Sequence, residues 1–342
     1  MEGRSYNSLD GREADGVYKN LLCKETVETN KDILAPVVAL IDADIVLHRV
    51  GFTTESDDFW IARVRCDEML DGILRHTGVS EYQLWLSDNA ANNFRYQIYP
   101  LYKANRIGKP RPKHHEELKA YLIQEWGARF ADGMEADDYL GIYQDEEDKT
   151  TVICSIDKDL KQIPGLHYNF VKDEWDDVSR NMALKSFYEQ IIVGDVSDNI
   201  PGAWKKGPVA AQKALQDLSD ELSEDSCELL GLAAVRRLYK ESLLKTWGEP
   251  WDLSKERAML GEILLSGRLL KIRRSFQEEL WGSQLLNQME EYQSLYTLSP
   301  EVVSFPFMEP IMLTPTMDGF QSTGDQTALH SPHRILSTSL EQ

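Results

Sequence analysis

Apolar residues gather along this chain in two rhythms. Short unbroken runs, VVALID (37–42), YQLWLSD (82–88) and TTVICSI (150–156), are bounded by polar residues. Their length suits buried strands. Between them, residues 45–52, 58–76, 113–126 and 135–143 repeat their apolar positions at helical spacing. Strand and helix alternating in this way predict an α/β fold with a mostly parallel central sheet and flanking crossover helices. After Met182 strand patterns almost vanish, and residues 184–193, 208–218, 227–247 and 255–270 read as helices. The expected division is a low-order extension at 1–33, an α/β domain at 34–182, a helical region at 183–290 and a Pro-, Ser- and Thr-rich tail at 291–342. No internal repeat is visible.

At 342 residues and 42% hydrophobic the chain can bury a sizeable core. It has no apolar stretch of membrane-spanning length and no apolar run at the N-terminus of a secretory kind. Cys23, Cys66, Cys154 and Cys227 are far apart, which suits a reducing cytoplasm better than a disulfide framework. The formal net charge of −20 looks wrong for a nucleic-acid enzyme. The distribution changes that picture, because residues 94–119 carry Arg95, Lys103, Arg106, Lys109, Arg111, Lys113 and Lys119 against only Glu116 and Glu117.

Acidic residues at element boundaries carry the chemistry. Asp42 closes the first apolar run and Asp88 the second. Glu135, Asp137 and Asp138 open a helix in GMEADDYLG, Asp157 and Asp159 follow the third run, and Asp195 and Asp198 lie in VGDVSDNIPG. Taken singly, such residues are also ordinary helix caps and first-turn acids. Taken together, acids at the carboxyl ends of parallel strands converge on one crevice. Carboxylates are the ligands of Mg²⁺, and two such cations stabilise both the attacking and the leaving oxygen of a phosphoryl displacement.

The blocks EADD, DKDL and GDVSDNIPG, in this order and with FRYQIYPLYKANR upstream, resemble the 5′-nuclease superfamily. That superfamily comprises flap endonucleases, the 5′-nuclease domain of bacterial DNA polymerase I and small phage 5′→3′ exonucleases, and the phage exonucleases are the nearest in kind. The resemblance runs from about Val37 to Leu280. It implies a PIN-like sheet and a helical region containing a helix–three-turn–helix, with a basic arch near 94–132. By the same resemblance a first Mg²⁺ is held by Asp42, Asp88, Glu135, Asp137 and Asp138, and a second by Asp157, Asp159, Asp195 and Asp198, with Mn²⁺ able to substitute. Lys103 and Arg106, three apart and so on one face of a helical turn, are expected to meet the scissile phosphate. Tyr102 is expected to stack on a terminal base. Arg49 matches a phosphate-contacting arginine, with a surface salt bridge as the alternative. In NIPGAWKKGPVAAQKAL, Gly202 and Gly207 match the duplex-gripping hairpin, but Lys205 and Lys206 stand where the family has a glycine and an apolar residue. A left-handed conformation is costlier there, and the two lysines could serve as phosphate contacts instead. GRLLKIRR (267–274) either extends that track or is a solvated helix face.

The function implied is a two-metal 5′→3′ exonuclease on duplex DNA in phage replication, with RNA–DNA hybrid and RNA primers as further substrates. The alternative within the class is a 5′-flap endonuclease acting on branched DNA. An acidic cation binder or DNA mimic without catalysis is the alternative from another class. No room is left for a polymerase domain, so a free-standing nuclease working in a bacterial cytoplasm is expected, away from membranes.

Overall fold

The computed structural model describes residues 36–282, apart from 90, 145 and 147. The expected extension at 1–33 and tail at 291–342 lie outside these residues. Six strands form the main sheet: β1 (Val38–Asp42), β2 (Glu81–Ser87), β3 (Arg129–Ala131), β4 (Thr151–Cys154), β5 (Gly165–Asn169) and β6 (Glu174–Val178). Their order is β3-β2-β1-β4-β5-β6, with every pairing parallel except β5 with β6. The central strands carry unbroken apolar stretches, Val38–Ile41, Leu84–Leu86 and Val152–Cys154, because both faces are covered there. On one face Ala39, Ile41, Leu84, Leu86, Val152 and Cys154 pack beneath α1 (Ala43–Thr53), α2 (Phe59–Thr77) and, past the short α3 (Phe94–Ile98), α4 (His115–Trp126). The alternate residues Leu40, Trp85 and Ile153 point the other way, against Ala136, Tyr139 and Leu140 of α5 (Ala136–Tyr143).

Residues beyond β6 are helical, as the pattern predicts: α6 (Arg180–Val193), α7 (Pro208–Ala214), α8 (Glu224–Trp247) and α9 (Leu253–Leu270). A two-residue antiparallel pair, β7 (Gly194–Asp195) with β8 (Ile200–Pro201), closes the loop before α7. The expected boundary at 182/183 falls inside α6. This helix packs both on the 3₁₀ turn at Lys158–Gln162 and on α8, so the helical region grows out of the α/β part without a break. Among the described residues no helix is long and apolar enough to cross a membrane.

The β5–β6 hairpin went unpredicted, and it contains a pH-sensitive group. His167 of β5 is buried, with Nε2 2.7 Å from the carbonyl of Ile163. Burial pushes its pKa down from 6.5 to about 4. As pH falls from 6.5, the unfolded chain takes up a proton that folded His167 refuses. Its contribution is therefore complete above pH 6.5 and is lost as pH approaches 4, a change of about 3 kcal/mol at 1.36 kcal/mol per pKa unit. Urea denaturation of His167→Gln between pH 7 and 4 should show a decline shallower by that amount. Parallel stability curves for the two proteins would remove His167 from the acid response.

Candidate active site

Three strand ends lie side by side at the carboxyl edge of the sheet, where β1, β2 and β4 run parallel. Each ends in, or is directly followed by, a polar residue that organises the next turn. Asp42 is the last residue of β1 and the N-cap of α1, its Oδ1 accepting from the Ile45 amide at 3.0 Å. Ser87 ends β2; its amide donates to Asp44 Oδ2 at 3.0 Å, and its Oγ accepts from the Ala136 amide at the start of α5. Ser155 follows β4; its Oγ donates to Asp42 Oδ2 at 2.9 Å and accepts from the Asp157 amide at 3.1 Å. Asp157 then caps the 3₁₀ turn through the Asp159 amide, 2.8 Å away.

Seven of the nine predicted acids act on one another here. Burial, then the charge of Asp44, pushes the Asp42 carboxyl up to about 7, with Asp157 contributing. Asp137, on the first turn of α5, is raised well above its ordinary value by burial and then by Asp42 and Asp157. Burial and then Asp157 raise Asp159 to about 6, with Asp195 and Asp198 adding to the effect. Such mutual elevation means carboxylates crowded in a poorly solvated place.

Glu135 and Asp198 differ because side-chain cations reach them. Lys103 Nζ lies 2.5 Å from Glu135 Oε1 and 3.6 Å from Asp198 Oδ2, and Arg106 pairs with Asp198 Oδ1. Burial works against the charge of Glu135, but Lys103 and Arg95 outweigh it and hold the carboxyl at about 2. Burial raises Asp198 in spite of Lys103 and Arg106. The two cations do not share a helical face as expected. Lys103 adopts a left-handed conformation (φ 54°), its amide donating to the Asp198 carbonyl, and Arg106 comes round on the following 3₁₀ turn.

Four predicted residues are placed otherwise. Asp138 does not face the crevice: its oxygens accept from Arg95 Nη1 and Nη2 at 2.5 and 2.9 Å and from the amides of Glu135 and Arg273. With no exposed surface, it stands in this structure as a strut. Tyr102 offers no ring to a base, because it is 2% exposed and its hydroxyl donates to Glu135 Oε2 and Asp198 Oδ2. Lys206 is committed to Glu241 at 2.7 Å. Asp88 sits apart from the buried acids, turned to the Gly133 and Asn89 amides, the Gly133 bond chiefly lowering its pKa.

The hairpin departs from its family pattern at a conformational cost. Lys205 takes the left-handed conformation (φ 56°), with Nζ 4.1 Å from the Trp204 ring centroid. Gly202 is required by close approach of the chain to itself, since a Cβ there would lie 2.3 Å from the Val193 carbonyl carbon. Gly207 is exposed with open space around it, and Arg49 is exposed on α1. In GRLLKIRR, Lys271 lies over Phe187, Arg273 over Phe94, and Arg274 pairs with Glu146, so that segment fastens the end of α9 to the core.

Sequence reasoning missed Ser155, Arg95 and Asn93. Asn93 caps α3 and also donates to Glu135 Oε1 at 3.1 Å. Among the described residues no group of three or more His, Cys, Asp or Glu is arranged to hold a metal ion as it stands. The donor set nevertheless suits one: every candidate is a hard carboxylate oxygen, and Asp42 and Asp137 are acids whose pKa values are raised chiefly by desolvation and by neighbouring carboxylates.

Residues 37–191 match the family described as the 5′-3′ exonuclease, N-terminal resolvase-like domain. DNA polymerase I of Rhizobium leguminosarum is 34% identical over 153 residues, which are 39% of this chain and 15% of the relative. A 5′-3′ exonuclease of Buchnera aphidicola is 26% identical over 208 residues, 54% of this chain and 71% of the relative. Among solved structures, the bacteriophage T5 D15 flap endonuclease in complex with DNA and metal ions is similar over 66% of this chain and 98% of its own, at 14% identity and a TM-score of 0.41.

Proposed function

We propose, because residues 37–191 match the 5′-3′ exonuclease N-terminal domain family, that the chain is a metal-dependent 5′→3′ exonuclease. Its substrate would be the phosphodiester backbone of duplex DNA, taken from the 5′ end. The observation that carries this reading is the crevice itself, where Asp42 and Asp137, which form no ion pair among the described residues, adjoin Glu135 and Asp198, held by the cations Lys103 and Arg106. Residues 34–182 would carry the chemistry and 183–290 the grip on the duplex.

Asp42, Glu135, Asp137, Asp157, Asp159, Asp195 and Asp198 would hold two Mg²⁺ ions, with Asp88 at the margin. Bound there, such ions supply Lewis-acid stabilisation of the oxygens on either side of the cleaved bond. Lys103 and Arg106, at the rim, would exchange their carboxylate partners for the scissile phosphate, placing positive charge where negative charge develops. Exposed Lys205 would touch backbone phosphate away from the cut. Asp42 and Glu135 are buried and the other five acids half-buried, none fully displayed, which speaks against a DNA mimic, since mimicry needs surface charge.

Digestion of 5′-labelled blunt duplex, nicked duplex, 5′-flap and RNA–DNA hybrid, in Mg²⁺ and in EDTA, tests the proposal. The expected result is release of short 5′ products from duplex in Mg²⁺ alone. Internal cleavage confined to the flap would replace the exonuclease with a flap endonuclease, hydrolysis of the hybrid would add primer removal, and equal cleavage in EDTA would end the metal reading.

A further inference from the structure

Two acids assigned above to different cations, Asp42 and Asp157, are joined by one hydroxyl. The register explains how it gets there. Ile41 of β1 pairs with Cys154 of β4, so the next positions along the two parallel strands are Asp42 and Ser155. Leu40 and Ile153 share the face that carries α5, and residues two further on return to the same face. Asp42 and Ser155 therefore emerge side by side on the crevice side of the sheet. The Ser155 amide is itself held by the Tyr168 carbonyl at 3.3 Å, which extends the β4–β5 ladder by one rung.

A serine hydroxyl has one proton to give and lone pairs to accept with, and Ser155 uses both. Oγ donates to Asp42 Oδ2 and accepts the Asp157 amide, so each residue is located relative to the other through a single atom. Asp42 Oδ1 is taken by its own helix and Asp157 Oδ1 by the Asp159 amide. The hydroxyl is thus the direct hydrogen-bonded link between the end of β1 and the turn after β4.

We propose that Ser155 is a positioning residue that sets the spacing of Asp42 and Asp157, and through it the affinity of the crevice for divalent cations. The inference rests on the metal reading given above. A group that orients metal ligands without touching the metal typically changes affinity or activity by 10–100-fold when removed. A hydroxyl that only satisfied a backbone amide would change stability and leave cation affinity alone.

The test is calorimetric titration of the full chain with Mn²⁺ alone, for the wild type, Ser155→Ala and Ser155→Thr, each with a thermal melt. Ser155→Ala should bind Mn²⁺ about 10–100-fold more weakly, while Ser155→Thr, which keeps the hydroxyl, should stay within about threefold of wild type. In hydrolysis, the Mg²⁺ concentration for half-maximal rate should rise with Ser155→Ala, and the rate at saturating Mg²⁺ should largely recover. If Ser155→Ala melts below the assay temperature, Ser155→Cys, similar in size but a weak donor, takes its place with the same expectation. Unchanged Mn²⁺ affinity in the Ala or Cys variant overturns the proposal, and so does an equal loss in the Thr variant, which would assign the effect to packing. Failure of the wild type to bind Mn²⁺ is a separate outcome, and it removes the metal reading itself.

Discussion

Asp137→Asn is expected to abolish Mg²⁺-dependent cleavage while leaving the protein at least as stable as before. The side chain is half-buried at the start of α5, its carboxyl raised well above the ordinary range by desolvation and by the charges of Asp42 and Asp157. No ion pair within 4 Å is formed by it among the described residues, so its carboxyl, whether charged against its neighbours or forced to keep a proton, is a cost to the metal-free fold at neutral pH. An amide of the same shape removes that cost, and a melt in EDTA should rise by about 2–4 °C for each kcal/mol recovered in a domain of this size. The same substitution removes a hard oxygen donor, so cleavage should fall by more than about 10²–10³-fold, the scale on which one electrostatic stabiliser is felt. Asp157→Asn should share the loss of activity. Near-normal turnover of Asp137→Asn at millimolar Mg²⁺ would falsify the assignment of this crevice as the metal centre.

The neighbouring carboxylate shows where the sequence stops being readable. Asp137 and Asp138 are consecutive acids on a helix, and both match the family motif. Successive side chains on a helix point about 100° apart, so one looks into the crevice and the other into the protein. Which is which depends on Arg95, 43 positions away, and on the end of α9. No local pattern encodes that. Tyr102 misled for the same reason: an aromatic beside basic residues suggests a stacking platform, and only the assembled fold shows its hydroxyl turned in between Glu135 and Asp198.

Central strands were legible because burial on both faces writes them as unbroken apolar runs. The β5–β6 hairpin, GLHYN and EWDDV, lies at the sheet edge with β6 half-solvated, and it mixes His167, Asp176 and Asp177 with its apolar residues. Its pattern is therefore weak. Ser155 was within reach, since in-register continuation of β1 and β4 would have placed it beside Asp42, but strand register is a tertiary fact that one sequence does not display.

Arg95→Met should be strongly destabilising. Arg95 is 2% exposed, and three of its guanidinium nitrogens are committed. Nη1 and Nη2 grip Asp138 at 2.5 and 2.9 Å, Nε donates to the Leu269 carbonyl at 2.8 Å, and Nη2 also reaches the Lys271 carbonyl at 3.0 Å. One side chain thereby fastens α3 to α5 and to the end of α9. Methionine fills similar volume but leaves Asp138 buried and unpaired and two carbonyls without a donor. Loss of one partner of a buried ion pair costs about 3–5 kcal/mol. Asp138→Leu alone should cost a similar amount by stranding the guanidinium. The double variant, Arg95→Met with Asp138→Leu, should recover a large part of either loss, because an apolar pair replaces an ion pair with little or no penalty once neither charge is left behind. Urea denaturation of the three variants at pH 7 measures each value. A cost below about 1 kcal/mol for Arg95→Met, or strictly additive losses in the double variant, would show that the pair does not fasten these elements. Glu135 follows its neighbour, since its amide donates to Asp138 Oδ2 at 3.1 Å. Cleavage by Arg95→Met should therefore be impaired even at temperatures where it remains folded, linking the strut that Asp138 forms to the site that Asp137 serves.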